Sequence, residues 1–273
     1  MRLFKFILIA MVVLGLAACS KKPEPTDVIK VGTISGPETQ LMQVAQNVAL
    51  QKYGLKVKIV EFTDYNLPNQ ALADGDIDIN MFQHQPYLTA SINAHNFDIV
   101  PVAKTFVYPM GIYSDKLNRL SELNNDGVVA IPDDPTNEAR ALLLLQKAKL
   151  ITLKKGVNVL ATTNDIVQNP KKLQFKELDA ANLPRVLPDV AIAVINSNYA
   201  IADGLQPSLG VNTPTHKDAI YLEGKDSAYA NLFVVRRDDQ NNPKVKELIA
   251  AFQSPPVLTA SQEIFHGDAI KAW

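Results

Sequence analysis

From Val28 onward, short β-branched runs alternate with helix-start signals, and this alternation restricts the chain to an α/β fold with largely parallel sheets. Val28 to Thr33 is the first run. Ser35-Gly36-Pro37-Glu38 follows, with Ser and Glu at capping-box spacing and Pro in the first turn. Leu41, Val44, Ala45, Val48 and Ala49 then recur at helical spacing until Gly54. Val57 to Phe62 predicts a strand, Asn66-Leu67-Pro68 a short helix stopping at Gly75, and Ile77 to Met81 another strand. Val128 to Ile131 feeds Asp134-Pro135, a strong helix start, and Ala191 to Ile195 feeds a helix from about Asn196 to Gly204. Leu232 to Val235 is a further strand, and Pro243 opens a helix with Val245, Leu248, Ile249 and Phe252 on one face.

Two apolar strands, Thr105 to Tyr113 and Tyr229 to Arg236, stand between blocks that each carry several such units. If both cross between lobes, residues 28–110 plus 231–273 form lobe I and residues 111–230 form lobe II. A ligand cleft then lies between them, at the strand ends where α/β folds hold ligands.

The N-terminus predicts the compartment. Arg2 and Lys5 precede an apolar run from Phe6 to Ala18, too short to span a bilayer and suited to a secretory signal. The run ends Leu16-Ala17-Ala18-Cys19, and Cys19 is the only cysteine of the protein. This resembles a bacterial lipoprotein signal, in which residues 1–18 are removed and the Cys19 thiol is diacylated. Ser20 to Asp27 (SKKPEPTD) is a polar tether reaching at most ~28 Å at about 3.5 Å per residue. Acyl chains at about 0.8 kcal/mol per buried CH₂ make such an anchor permanent. The bilayer is thus a partner through Cys19.

The remaining composition excludes several classes. With 27 Lys+Arg against 28 Asp+Glu, the chain has no excess of basic residues for nucleic acid. One cysteine rules out a disulfide framework and a cysteine-based zinc cluster. No nucleophile elbow, P-loop, dinucleotide fingerprint or H-E-x-x-H stands in the sequence. Asp74, Asp76, Asp78 and Asn80 are spaced like calcium ligands, but Ile79 and Gln85 occupy the positions that need Gly and Glu. Alternation with Ile77, Ile79 and Met81 reads better as a half-buried strand. His84, His95, His216 and His266 make no metal spacing. The expectation is a binding protein without catalytic residues, metal or cofactor.

A binding constellation is easier to assemble. Phe82-Gln83-His84-Gln85-Pro86-Tyr87 follows a strand, and Tyr65 lies in the loop after the strand before it. These aromatics read either as a pocket wall or as core. Asn137 and Arg140 stand three apart on the Asp134-Pro135 helix and share a face. Arg140 is either a solvated cation paired with Glu138 or another acid, or a bidentate grip on a carboxylate. Asn196 closes a strand and is a candidate cap for its helix. Asn231 lies on the second connector, as a ligand contact or a brace between lobes.

Five stretches, TDYNLPNQALADGDIDINMFQHQPYL, TFVYPMGIYS, IPDDPTNEARALLLLQKAKLI, IAVINSNYA and DSAYANLFVVRRDD, together resemble the methionine-binding lipoproteins of the NlpA type. These are substrate-binding subunits of methionine ABC importers. The likeness runs in collinear order from about Ile29 to Trp273, and FQHQPYL and DPTN-x-x-R are its most specific segments. It implies the two-lobed periplasmic binding protein fold (type II-like). It also implies that Tyr65, Phe82, His84 and Tyr87 enclose a thioether, and that Arg140 holds the α-carboxylate. Asn196 and Asn231 would bond the polar end, with Asn137 nearby.

The implied ligand is L-methionine, the implied partners are the membrane and ATPase subunits of the transporter, and the chain is expected to be a monomer. The family often has Leu-Gly at Glu138-Ala139 and Thr-Thr at Ser197-Asn198, so Glu138 adds a negative charge near the carboxylate end. An importer subunit belongs at the inner membrane, whereas Ser20 after the lipidated cysteine favours the outer. A surface lipoprotein of the same fold, with D-methionine or another apolar amino acid as ligand and an adhesive role, is the alternative.

Overall fold

A computed structural model describes residues 28–209, 217–224 and 227–273. Cys19, the signal segment, the tether and His216 lie outside the described residues. Two sheets organise the molecule, beside two short ribbons, β7 (Thr152–Leu153) with β8 (Ile166–Gln168) and β11 (Gln206–Leu209) with β12 (Asp218–Ala219). The larger has six strands in the order β15-β4-β14-β3-β1-β2, comprising β1 (Val28–Ile34), β2 (Lys56–Phe62), β3 (Ile79–His84), β4 (Ile99–Val107), β14 (Ala230–Arg236) and β15 (Ile270–Lys271). The smaller has five in the order β13-β5-β10-β6-β9, comprising β5 (Gly111–Tyr113), β6 (Val128–Pro132), β9 (Gln174–Leu178), β10 (Ile192–Ile195) and β13 (Tyr221–Leu222). Strands β1, β2 and β3 run parallel, as do β6, β9 and β10, while β14 is antiparallel to both β3 and β4. Each sheet is therefore mixed, with a parallel half built from βα units.

Each sheet carries its own core. Helix α1 (Pro37–Tyr53) packs with α6 (Pro243–Phe252) and α7 (Pro255–Ile264) on the larger sheet, burying Leu41, Met42, Leu248 and Phe252. Helix α4 (Pro135–Lys147) covers the smaller sheet through Leu142, Leu144 and Leu145. A third apolar cluster joins Ile34 and Phe82 of the larger sheet to Tyr113, Ala130 and Ile195 of the smaller. The two layers thus meet through apolar side chains as well as through chain connections.

Several details differ from the sequence reading. Thr105 to Tyr113 is two strands, β4 and β5, which fall in different sheets. The second apolar segment, β14, lies wholly in the larger sheet, so that passage falls between β13 and β14. The third strand begins at Ile79, not Ile77, and carries on to His84, after which α3 (Gln85–His95) starts at once. Phe82 and His84 are therefore strand residues, while Tyr87 stands in the first turn of α3. The capping box at Ser35 does not form. Gly36 is the N-cap, with φ of 117°, and an added Cβ there would stand 3.3 Å from the Ala202 Cβ. The positive φ and the close neighbour both require glycine. Glu38, freed from capping, turns elsewhere.

Candidate functional site

The carboxyl ends of parallel strands from the two sheets converge on one cavity, and the chain leaving each end supplies its walls. From the larger sheet come Tyr65 in the loop after β2, Phe82 and His84 at the end of β3, Tyr87 on α3 and Asn231 on β14. Registry places Asn231 directly beside His84 across the β3–β14 ladder. From the smaller sheet come Asn137 and Arg140 on α4 and Asn196 at the exit of β10. All eight residues singled out in the sequence line this one cavity, which measures about 360 Å³ counted to its mouth.

The aromatic side is a packed wall. The Tyr65 ring lies 5.9 Å from both Phe82 and Tyr87 and 5.0 Å from Tyr199 on α5 (Ser197–Ala202), and Phe82 meets Tyr87 edge-on at 5.7 Å. The Tyr87 hydroxyl donates to the Tyr65 backbone carbonyl at 2.9 Å. These contacts leave an apolar surface with rings fixed in place.

The polar side is a connected network. Asp134 caps α4, accepting from the Asn137 N–H at 3.0 Å, and its second oxygen accepts from Asn137 Nδ2 at 2.9 Å. Asn137 Oδ1 is therefore turned toward His84 and Asn196, and Asn196 Nδ2 donates to it at 2.9 Å. His84 Nδ1 accepts from the Tyr87 N–H at 3.3 Å, so its Nε2 carries the proton and donates to Asn137 Oδ1, also at 3.3 Å. Burial, and secondarily the Arg140 cation, push His84 down to about 3, which keeps the imidazole neutral. Asn196 does not cap its helix with its side chain. Its Oδ1 has no hydrogen-bond partner among the described residues, nor has Asn198 Nδ2, while Asn198 Oδ1 accepts from the Tyr65 hydroxyl at 2.7 Å.

Arg140 departs most from expectation. Its bidentate partner is Glu223, with Nε–Oε1 at 3.2 Å and Nη2–Oε2 at 2.5 Å, and Nη2 also donates to the Tyr108 carbonyl at 2.9 Å. The guanidinium lies 4.4 Å from the Tyr229 ring. Of the Arg140 nitrogens, only Nη1 is left without a partner among the described residues, so one arm of the fork rather than two is open to the cavity. Glu138 does not face the cavity. Its Oε1 accepts from the Thr163 N–H at 3.0 Å, so its charge is spent away from the site.

Tyr108, Asn198, Ser197 and Gln83 also line the cavity and were not anticipated. Glu223 and Tyr229 stand behind Arg140. Tyr108 sat in view inside the first apolar connector, whereas Glu223 belongs to no motif and only the folded chain brings it to α4. Among the described residues no cluster of His, Cys, Asp or Glu is arranged to hold a metal, and no helix is long and apolar enough to cross a membrane.

Two mixed sheets joined by chain passages, with an enclosed cavity where their strand ends meet, define a periplasmic substrate-binding protein. The likeness to solved structures agrees. A periplasmic substrate-binding protein of an ABC transporter from Coxiella burnetii is 55% identical, with a TM-score of 0.84 over 89% of this chain and 100% of that one. A nutrient-binding protein from Burkholderia cenocepacia, solved bound to methionine, is 49% identical, with a TM-score of 0.84 over 90% of this chain and 100% of its own. The D-methionine-binding lipoprotein MetQ of Salmonella typhi is 49% identical over 262 residues, 95% of this chain and 94% of that protein. Residues 29–273 match the NlpA lipoprotein family, and the chain belongs to it.

Proposed function

We propose that this protein captures methionine, the L form first, in the cavity between its sheets and delivers it to the membrane and ATPase subunits of an ABC importer. The observation that carries the reading is the match between the cavity and a zwitterion with an apolar tail. Arg140 Nη1 and Asn198 Nδ2 are donors for a carboxylate, the Asn196 and Asn231 oxygens are acceptors for an ammonium, and Tyr65, Phe82 and Tyr87 form the apolar wall. The paired Arg140 and Glu223 and the neutral His84 leave little net charge, as a zwitterion requires. Burying the thioether side chain is worth about 1.5–3 kcal/mol. Residues 28–110 plus 231–273 and residues 111–230 act as the two lobes, closing about the passages between the sheets. Cys19 anchors the protein, as a monomer, to the periplasmic face of the inner membrane. The methionine names and bound methionine of the relatives support the ligand.

The test is calorimetry and thermal unfolding on residues 20–273, stripped of ligand by denaturation and refolded. A ligand at 1,000 times its Kd adds about 4.1 kcal/mol, which at about 2–4 °C per kcal/mol is a shift of roughly 8–16 °C. Such a shift with L-methionine, larger than with D-methionine and absent with unrelated amino acids, is expected. Refolded protein that no methionine isomer stabilises would overturn the reading.

A further inference from the structure

Glu38 stands in the first turn of α1, with 1% of its surface exposed, and does not line the cavity. It is a poor choice for structure alone: a buried carboxyl costs more than an apolar side chain unless it has a task. Burial pushes its pKa up to about 8, against the lowering effect of its hydrogen bond with Asn231. That bond is its visible engagement. Glu38 Oε1 accepts from Asn231 Nδ2 at 2.8 Å, and the same Nδ2 donates its other proton to the Phe82 carbonyl at 3.1 Å. Glu38 Oε2 has no partner among the described residues.

Resting on the zwitterion reading above, we propose that Glu38 is a positioning residue that fixes the rotation of the Asn231 amide so that Oδ1, and not Nδ2, is offered to the ligand's ammonium. An asparagine amide can rotate by half a turn with little change in shape, exchanging its acceptor for two donors. Here two oxygens claim both Nδ2 protons. Rotation would set Asn231 Oδ1 against the Glu38 and Phe82 oxygens and present N–H groups to a cation, which is repulsive on both sides. Phe82 O alone holds one proton and leaves the other free. Glu38 supplies the second restraint, from a different element and out of contact with the cavity. The carboxylate can restrain the amide through either oxygen, and the protonated carboxyl does so with its proton on the unpartnered Oε2, leaving Oε1 to accept.

The experiment compares methionine with 4-(methylthio)butanoate, which keeps the carboxylate and thioether and lacks the amine. Calorimetry of stripped wild type, Glu38→Leu and Glu38→Gln measures the ratio of the two affinities. Glu38→Leu is expected to weaken methionine binding by about tenfold or more, the worth of a hydrogen bond to a charged group, and to leave the amine-free acid within about threefold. Glu38→Gln, whose amide oxygen can still accept from Asn231, restores the wild-type ratio. A parallel loss of both ligands in Glu38→Leu, or no loss of either, overturns the proposal. A wild type that binds neither ligand instead overturns the methionine reading. Should Glu38→Leu not fold, NMR of the wild type decides. Both Asn231 side-chain N–H protons must already be protected from exchange before methionine is added, and rapid exchange of either is fatal to the idea.

Discussion

At the scale of single residues, the cavity is held by pairs whose members are costly to change alone. Arg140 and Glu223 are both nearly inaccessible, with side chains 4% and 7% exposed. Arg140→Met leaves a buried carboxylate without its cation and is expected to cost about 3–5 kcal/mol of stability by chemical denaturation. The double change Arg140→Met with Glu223→Leu should recover most of that stability while methionine binding stays lost. Recovery of binding in the double variant would remove Arg140 from the carboxylate end.

Two other buried groups set opposing pH slopes. His84 is driven down from 6.5 to about 3, so between those values the unfolded chain binds a proton that the folded chain refuses, and stability is lost as pH falls. Glu38 is driven up from 4.5 to about 8, so the folded chain keeps a proton that the unfolded chain gives up, and stability is lost as pH rises through that window. Between pH 4.5 and 6.5 the two oppose each other. Calorimetric Tm profiles should therefore show Glu38→Gln flatter than wild type from pH 6.5 to 8, and His84→Gln flatter below pH 4.5. A Glu38→Gln profile parallel to wild type above pH 6.5 would contradict the burial of that carboxyl.

At the scale of elements, the start of α4 combines two jobs in one side chain. Asp134 caps the helix through one oxygen and orients Asn137 through the other. Asp134→Ala should lower stability by about 1 kcal/mol, or roughly 2–4 °C in Tm. Asp134→Ser keeps a cap but not the second acceptor, so it should restore most of the Tm and leave methionine affinity reduced. Equal recovery of both would show that capping alone matters. This element is also the most legible in the sequence: Asp134-Pro135 marks the helix start, and helical spacing alone sets Asn137 and Arg140 on one face. The first turn of α1 was misread because Ser35 and Glu38 have capping-box spacing whatever Glu38 bonds to. Its partner Asn231 lies 193 residues away, a distance over which local pattern carries no information. Glu223 was invisible for the same reason, at 83 residues from Arg140. The shared placement of the eight cavity residues was legible because strand exits brought them together, while their roles are what the resemblance implies.

At the scale of the whole molecule, side chains at the cavity are nearly sealed, with Asn231 and Asn196 each only 8% exposed. On the two-lobe reading proposed above, entry of a ligand requires the two sheets to part. Asn66 Nδ2 and Asp179 Oδ2 approach to 3.4 Å between the two sheets, one in the loop between β2 and α2 (Pro68–Ala73) and one beyond β9. A chain beginning at Ser20 has no cysteine of its own, so Asn66→Cys with Asp179→Cys tests a single cross-link between the two sheets, its formation checked by loss of free thiol. Oxidised after stripping, this variant should fail to take up methionine in calorimetry; loaded first, it should retain it through dialysis, with reductant reversing both. Free uptake by protein shown to be cross-linked would mean that the ligand enters by another route.

Glu223 has a second attachment beyond Arg140. Its N–H donates to the Met110 carbonyl at 2.9 Å and its Oε2 accepts from the Met110 N–H at 3.2 Å, so the two chain passages between the sheets are tied at the carboxylate that steadies the guanidinium. Descent with modification meets this arrangement unevenly. A drifting lineage can exchange an aromatic of the wall and arrive at a new side-chain preference one substitution at a time. Altering the charged end demands coordinated change at Arg140, Glu223 and the chain passage through Met110, with unfit intermediates between. New ligands for proteins built this way are accordingly to be sought among other free amino acids, differing in the tail and sharing the zwitterion.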